Sequence, residues 1–128
     1  MIVELRDLSV GTLNKLADDI RRRAGEIAQS TKTSIEITPL SQNPPALATP
    51  TVQSAIERAA GTLALKSTRL PSGAGHDAQM MAQIAPMGMI FVPSVGGISH
   101  SPKELTHWED CARGADVLLH AVLALDAA

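Results

Sequence analysis

Apolar and polar residues follow two different periods at the beginning of the chain. Val3 and Leu5 alternate with charged neighbours, which is typical of a half-buried strand, and residues 34–38 alternate in the same way. Between these runs, apolar residues recur every three or four positions, which predicts an amphipathic helix with Ser9 as its N-cap. The apolar stripe consists of Leu13, Leu16, Ile20, Ala24 and Ile27. The pattern therefore predicts a strand–helix–strand unit.

A proline-rich break at residues 39–50 can continue neither a helix nor a central strand, so we interpret it as a linker. Thr49 and Pro50 then have the order of an N-cap followed by proline at the first helical position. The second helix is predicted to bury one face, formed by Val52, Ile56, Ala59 and Leu63.

Shorter segments follow this helix. Residues 66–70 are a predicted strand, 71–75 a loop and 76–84 a short helix, and the continuous apolar run 87–92 is typical of a strand covered on both faces. Thr106 and Glu109 have the spacing of a capping box, which predicts the start of a final helix. Since helices alternate with strands, we predict an α/β fold in two pieces, residues 1–42 and residues 43–128.

Composition excludes several classes of function. The net charge is −2 and Phe91 and Trp108 are the only aromatic residues, so we expect no nucleic-acid partner. No apolar run approaches the roughly 20 residues of a membrane span, and no signal peptide is visible, so we expect no membrane association. The single cysteine, Cys111, excludes an intrachain disulfide, and a cytoplasmic location is the expectation.

Two loops rich in small residues each carry one histidine, at residues 72–77 (Ser-Gly-Ala-Gly-His-Asp) and 96–101 (Gly-Gly-Ile-Ser-His-Ser). Small residues let the backbone approach a ligand closely, and active sites of α/β proteins favour loops at the carboxyl ends of strands. A glycine-rich loop with one histidine is nevertheless more often only a turn. The pattern alone leaves both interpretations open, because no zinc-protease, phosphate-loop or Ser-His-Asp pattern accompanies the loops.

The two loops and the apolar run between them carry a family resemblance. Residues 70–79, 88–94 and 97–104 resemble the C-terminal segment of N-carbamoyl-L-amino acid hydrolases, and they are similar to allantoate amidohydrolases and ureidopropionases. These belong to the dinuclear-zinc aminoacylase and carboxypeptidase superfamily. The resemblance implies that residues 1–42 are half of a lid that mediates dimerisation. It also implies that residues 43–128 are the C-terminal α/β part of a zinc-exopeptidase-like catalytic domain.

The resemblance also implies roles for individual residues. His100 matches the last metal ligand of the family, and imidazole nitrogen is a good zinc donor. His76 matches a histidine that contacts the substrate, and Arg6 matches a lid arginine that binds the substrate carboxylate. A loop that offers backbone groups to the substrate is matched by Gly73, Ala74 and Gly75.

The function implied by this resemblance is that of a metal-dependent hydrolase that cleaves C–N bonds of linear amides, either N-carbamoyl amino acids or ureido acids. The complete enzyme would hold two Zn or Mn ions and a small-molecule substrate. One histidine cannot hold a dinuclear site, so we expect this chain to bind no metal stably and to be inactive alone. Its expected partners are a second copy or the missing N-terminal half. The alternative is a non-catalytic module for self-association or partner binding, since uncovered edges and apolar surface favour association.

Overall fold

The computed structural model describes residues 1–127, and the elements of this part of the chain are helical. Four α-helices occur in the order α1 (Val10–Thr31), α2 (Pro50–Thr62), α3 (Asp77–Met81) and α4 (Trp108–Asp126), with a 3-10 turn at Val95–Gly97 before α4. The chain divides into two compact units. The first contains Met1–Leu47 and Pro71–Gly75, and the second contains Ala48–Leu70 and the residues from His76 onward. The division into residues 1–42 and 43–128 as domains stays a prediction.

Helix α1 begins where the sequence predicts. The Ser9 hydroxyl accepts a hydrogen bond from the Thr12 N–H at 3.3 Å, which satisfies one free donor of the first turn. The helix ends at Thr31, and its C-cap Lys32 adopts a left-handed conformation and donates its N–H to the Ala28 carbonyl. The half-buried stripe differs in part from the prediction, since Leu16 and Ile27 remain 40% and 52% exposed. The half-buried positions are Leu13, Ala17, Ile20, Ala24 and Ala28.

Helices α2 and α4 pack against each other and form the core of the second unit. Their buried residues are small, which lets the two helices approach closely. These residues are Ala55, Ala59 and Ala60 in α2 and Val117 and Ala121 in α4. Partly buried apolar side chains surround them: Ile56, Leu63, Leu65 and Ile90. The predicted face of α2 is confirmed at Ile56, Ala59 and Leu63.

The apolar run 87–92 lies against both of these helices. A Cβ atom added at Gly88 would be 2.6 Å from Val52 Cγ1 in α2, and one added at Gly114 in α4 would be 2.5 Å from Val92 Cγ1. Real Cβ atoms do not approach so closely, so a larger residue at either position would force the neighbouring segments to shift. The two glycines therefore allow the run to lie close to α2 at one end and to α4 at the other.

The strands of the predicted α/β fold are not found within residues 1–127. The segments 2–6, 34–38, 66–70 and 87–92 are neither helical nor paired in a β-ladder. A strand is defined by backbone hydrogen bonds to a neighbouring strand, and apolar alternation provides no such neighbour by itself. The run 87–92 is instead held by side-chain packing on α2 and α4.

Two predicted helix boundaries differ from the structure. The short helix predicted at residues 76–84 is α-helical only at Asp77–Met81 and continues as hydrogen-bonded turns as far as Ala85. The predicted capping box is wrong, because the N-cap of α4 is His107 and no side chain caps this end. Glu109 lies in the first helical turn, where its negative charge interacts favourably with the partial positive charge of the helix N-terminus.

No helix within residues 1–127 is long and apolar enough to cross a membrane.

Candidate functional site

Arg6 contacts the loop at residues 71–75 within the first unit. Its Nη1 donates a hydrogen bond of 2.5 Å to the Gly73 carbonyl, although the two residues are 67 positions apart. The Glu4 carboxylate occupies the remaining side of the guanidinium, since Glu4 Oε1 lies 3.0 Å from Arg6 Nε and 2.8 Å from Nη2. The structure thus brings together two of the predicted substrate-binding elements, Arg6 and the glycine loop.

The electrostatics of Arg6 follow from this ion pair. The hydrogen bond that Arg6 donates to the Glu4 carboxylate and the attraction of the Glu4 charge raise the pKa of Arg6 above its ordinary value. Both side chains are more than half exposed, at 52% for Arg6 and 68% for Glu4, so solvent screens the pair. The guanidinium is therefore charged, accessible and in contact with a carboxylate that is easily replaced.

The loop backbone at Gly73, Ala74 and Gly75 is held by one internal hydrogen bond, from the Ser72 hydroxyl to the Ala74 carbonyl at 3.1 Å. Neither glycine has a positive φ, and a Cβ added at Gly73 or Gly75 would meet no atom within 4 Å. The fold of this chain therefore does not require glycine at these two positions. Their effect is to leave the loop surface open, so that a ligand could approach the backbone.

His76 is the N-cap of α3. Its backbone is extended, and its Nδ1 accepts a hydrogen bond from the Ala78 N–H at 3.0 Å. Because Nδ1 is the acceptor, a neutral His76 carries its proton on Nε2. The capping bond thus fixes the tautomer and leaves Nε2–H as an exposed donor.

His100 lies in the second unit and has a left-handed backbone with φ of 55°. Its N–H donates a hydrogen bond of 2.7 Å to Glu104 Oε2. A positive φ is uncommon for residues with a Cβ, although histidine is among the residues that tolerate it best. The predicted metal ligand is therefore a residue whose backbone is held in a specific and unusual conformation.

The sequence pattern assigns no role to Ser94 or Glu104, and both residues organise the His100 loop. The Ser94 hydroxyl donates to the carbonyls of Ile98 and Leu105, and the Leu105 carbonyl also accepts the Val95 N–H at 2.8 Å. These bonds join the two ends of the loop. The spacing Ser-His-Ser-Pro-x-Glu was a visible signal for Glu104, since Ser-Pro marks a turn that reverses the chain.

Metal-binding side chains do not cluster in this part of the protein. Within residues 1–127, no group of three or more His, Cys, Asp or Glu side chains could hold a metal ion. His76 and His100 both lie in the second unit, and Arg6 and the 71–75 loop lie in the first. Cys111 is a half-buried free thiol on α4.

Comparisons with known proteins place these features in a family. The sequence profile of peptidase family M20/M25/M40 matches residues 3–124. The N-carbamoyl-L-amino acid amidohydrolase of Geobacillus stearothermophilus is 41% identical over 124 residues, which are 97% of this chain and 30% of that protein. The allantoate amidohydrolase of Escherichia coli (strain K12) is 55% identical over 47 residues, which are 37% of this chain and 11% of that protein.

A solved structure agrees with the sequence comparison. An amidase of the hydantoinase/carbamoylase family from Burkholderia multivorans superposes with a TM-score of 0.82 at 33% identity, over 92% of this chain and 29% of that one. The chain spans about 30% of the length of the curated relatives that match most of it. The resemblance to N-carbamoyl-L-amino acid hydrolases and allantoate amidohydrolases is thus confirmed, and because the profile covers nearly the whole chain, the chain belongs to peptidase family M20/M25/M40.

Proposed function

We propose that this chain is the substrate-facing part of a metal-dependent hydrolase that cleaves C–N bonds of linear amides, with N-carbamoyl amino acids or ureido acids as substrates. The observation that carries the proposal is the contact of Arg6 with the Gly73 carbonyl. It joins a carboxylate-binding side chain to an open backbone loop. The names of the relatives supply the substrate class, because N-carbamoyl amino acids and allantoate are both carboxylates that carry a carbamoyl or ureido group.

Arg6 would bind the substrate carboxylate. The Glu4 carboxylate already bonds to Nε and Nη2 of Arg6, on the side of the fork that pairs with carboxylates. A substrate carboxylate would replace Glu4 there, while Nη1 stays on the Gly73 carbonyl. Because the Glu4–Arg6 pair is exposed and weak, the exchange would cost little free energy.

His76 would donate a hydrogen bond to a substrate oxygen. Its Nδ1 accepts the Ala78 N–H, so the free Nε2–H is a donor of fixed direction. An amide or ureido oxygen is the matching acceptor. His76 would therefore orient the polar end of the substrate.

Enzymes of this family are generally metal-dependent. Residues 1–127 do not form a dinuclear centre by themselves, because no group of three or more His, Cys, Asp or Glu side chains that could hold a metal ion occurs among them. We propose His100 as one ligand of a divalent ion, Zn or Mn, whose other ligands come from outside this chain. We expect the chain alone to show no turnover.

We also propose that the segments without a strand partner become strands of a sheet in the whole protein. This pairing would give the α/β catalytic domain and the lid that the family resemblance implies. The segments 2–6, 34–38, 66–70 and 87–92 have the composition of strands but no strand partner in residues 1–127. A partner chain or a second copy could supply that pairing. Location in the cytoplasm stays a prediction.

The test is an assay of N-carbamoyl-amino-acid hydrolysis with Zn²⁺ or Mn²⁺. The chain is measured alone and mixed with a separately produced segment of the Geobacillus relative that lies outside the matched region. We expect turnover only in the mixture, and a large loss with Arg6→Lys, which keeps the charge but not the bidentate fork. Arg58→Lys, at an exposed position of α2, is the matched control. Turnover by the chain alone, or full activity of Arg6→Lys, would refute the assignment.

A second candidate function, a self-association module, is favoured by one observation. The side of α4 opposite its buried residues is apolar and more than half exposed at Leu118, Leu119, Val122 and Leu123. Exposed apolar patches often mark interaction surfaces. Sedimentation is the test. The Leu119→Lys variant should have a lower average molar mass in solution than the wild type. A wild type that is monomeric at every concentration would exclude this function.

A further inference from the structure

The backbone of His100 adopts a conformation that is uncommon for a residue with a Cβ atom. Its φ of 55° is left-handed, and outside glycine the residues 1–127 show a positive φ only at Lys32, Ala64 and His100. Lys32 follows the end of α1 and Ala64 lies just after α2, where left-handed residues commonly end helices. His100 ends no helix, so its conformation needs another cause.

The support comes from Glu104. In the described part of the chain, the structure gives the His100 N–H one hydrogen-bond partner, the Glu104 carboxylate at 2.7 Å. A carboxylate acceptor makes a stronger hydrogen bond than a neutral carbonyl. The bond joins two residues that are four positions apart in an otherwise irregular segment, and it therefore fixes the direction in which the chain leaves His100.

The intervening turn aims the Glu104 side chain at this N–H. The Glu104 N–H donates to the Ser101 carbonyl at 2.9 Å, and the Lys103 N–H donates to the Ser101 hydroxyl at 3.3 Å. Serine at the first position and proline at the second, Pro102, are the residues that such a turn favours. The turn reverses the chain, so that the carboxylate returns to the residue just before the turn.

The ends of the loop are fixed independently of Glu104. Ser94 and Val95 both bond to the Leu105 carbonyl, and the consecutive left-handed residues Gly96 and Gly97 form the first bend. The loop would therefore stay closed without the Glu104 carboxylate. What the carboxylate adds is confined to the His100 backbone.

We propose that Glu104 is the positioning residue of His100: its carboxylate accepts the His100 N–H and thereby holds the residue left-handed, which sets the direction of the imidazole. The proposal rests on the proposed function only in treating His100 as a functional side chain. It assigns no contact between Glu104 and a substrate or metal. A purely structural role, in which Glu104 only closes the turn, predicts that its removal perturbs residues 101–105 and leaves His100 unchanged.

The experiment is amide hydrogen exchange on the 128-residue chain, combined with the Cα and Cβ chemical shifts of His100, which report its backbone conformation. The variants are Glu104→Ala, which removes the acceptor, and Glu104→Gln, which keeps an oxygen at the same position. Lys103→Ala is the matched control inside the same turn. Amides of Val117 and Ala121 in the core report whether each variant is folded.

We expect Glu104→Ala to lower the exchange protection of the His100 amide by about tenfold and to move its Cα and Cβ shifts away from left-handed values. Glu104→Gln should restore most of both signals, and Lys103→Ala should change neither. Unchanged protection and shifts of His100 in a folded Glu104→Ala variant would overturn the proposal.

A second comparison covers the case in which Glu104→Ala does not fold. Glycine adopts a left-handed backbone without support, so Glu104→Ala should lower the melting temperature less in a His100→Gly background than in the wild type. Equal losses in the two backgrounds would contradict the proposal. Neither measurement uses turnover, so a failure of the hydrolysis assay would count against the proposed function and not against this role of Glu104.

Discussion

Thr49 and Met87 are joined by two hydrogen bonds across 38 positions of the chain. The Thr49 N–H donates to the Met87 carbonyl at 2.7 Å, and the Thr49 hydroxyl accepts the Met87 N–H at 3.0 Å. Thr49 is the N-cap of α2, yet its hydroxyl caps no amide of its own helix. The residue therefore connects the start of α2 to the start of the apolar run 87–92.

Replacing this hydroxyl should destabilise the second unit. In Thr49→Val the half-buried Met87 N–H loses its acceptor, and we expect the free energy of unfolding to fall by about 1 kcal/mol. Thr49→Ser should retain most of the stability. Urea denaturation measures the effect, with Thr51→Val in the exposed first turn of α2 as the control. Equal stabilities of Thr49→Val and Thr51→Val would contradict the pairing.

Two glycine substitutions should change the free energy of unfolding in opposite directions. A Cβ at Gly88 would lie 2.6 Å from Val52 Cγ1, so Gly88→Ala must shift α2 or the run 87–92 and should cost about 1–3 kcal/mol. A Cβ at Gly61 in α2 meets nothing within 4 Å, and Gly61→Ala should stabilise the chain by about 0.5–1 kcal/mol. The melting temperatures of both variants test these expectations. A Gly88→Ala variant that is more stable than the wild type would contradict the close contact of Gly88 with Val52.

The ion pair between Glu57 and Arg69 should make stability depend on pH. Arg69 bonds to both Glu57 oxygens, at 2.6 and 2.9 Å, and this hydrogen bonding holds the pKa of Glu57 below its ordinary 4.5. A lowered folded-state pKa contributes stability that is present above pH 4.5 and is lost as the pH falls through the folded pKa. The melting temperature of wild type should therefore exceed that of Glu57→Gln at neutral pH.

The gap between these two melting temperatures should narrow as the pH falls below 4.5. Glu36→Gln, at an exposed position without a basic partner among the described ion pairs, is the control for the removal of one carboxylate. A gap between wild type and Glu57→Gln that stays constant from pH 7 down to pH 3 would argue against the pair.

Removing the Glu4 carboxylate should make Arg6 more available to ligands. Glu4→Gln takes away the competing charge, so the Arg6 pKa should fall toward its ordinary value and N-carbamoylglycine should bind more tightly, by several-fold. The measurement is an NMR titration with N-carbamoylglycine, in which the Arg6 Nε–H signal reports the free and the bound protein. Arg21, paired with Asp18 on α1, is an internal control that should not shift. Weaker binding to Glu4→Gln would mean that Glu4 helps to form the site.

Local signals in the sequence determined the parts of the fold that depend on neighbours along the chain. The apolar spacing after Ser9 and the Thr49-Pro50 pair predicted the starts of α1 and α2, because capping and helical periodicity involve residues within one or two turns. The same signals misplaced the start of α4, where Thr106 and Glu109 have capping-box spacing but His107 is the N-cap. The motifs around Arg6, His76 and His100 also indicate the family, because each is a short run of neighbouring residues.

The tertiary structure alone decided which of these residues meet. No local pattern states that the Arg6 guanidinium contacts the Gly73 carbonyl or that Thr49 pairs with Met87, because contacts between distant positions depend on the packing of whole elements. The strand-like segments likewise depend on contacts that local sequence does not determine. Their alternation indicates how they would be buried, but a strand forms only where another backbone offers hydrogen bonds, and residues 1–127 provide none for them.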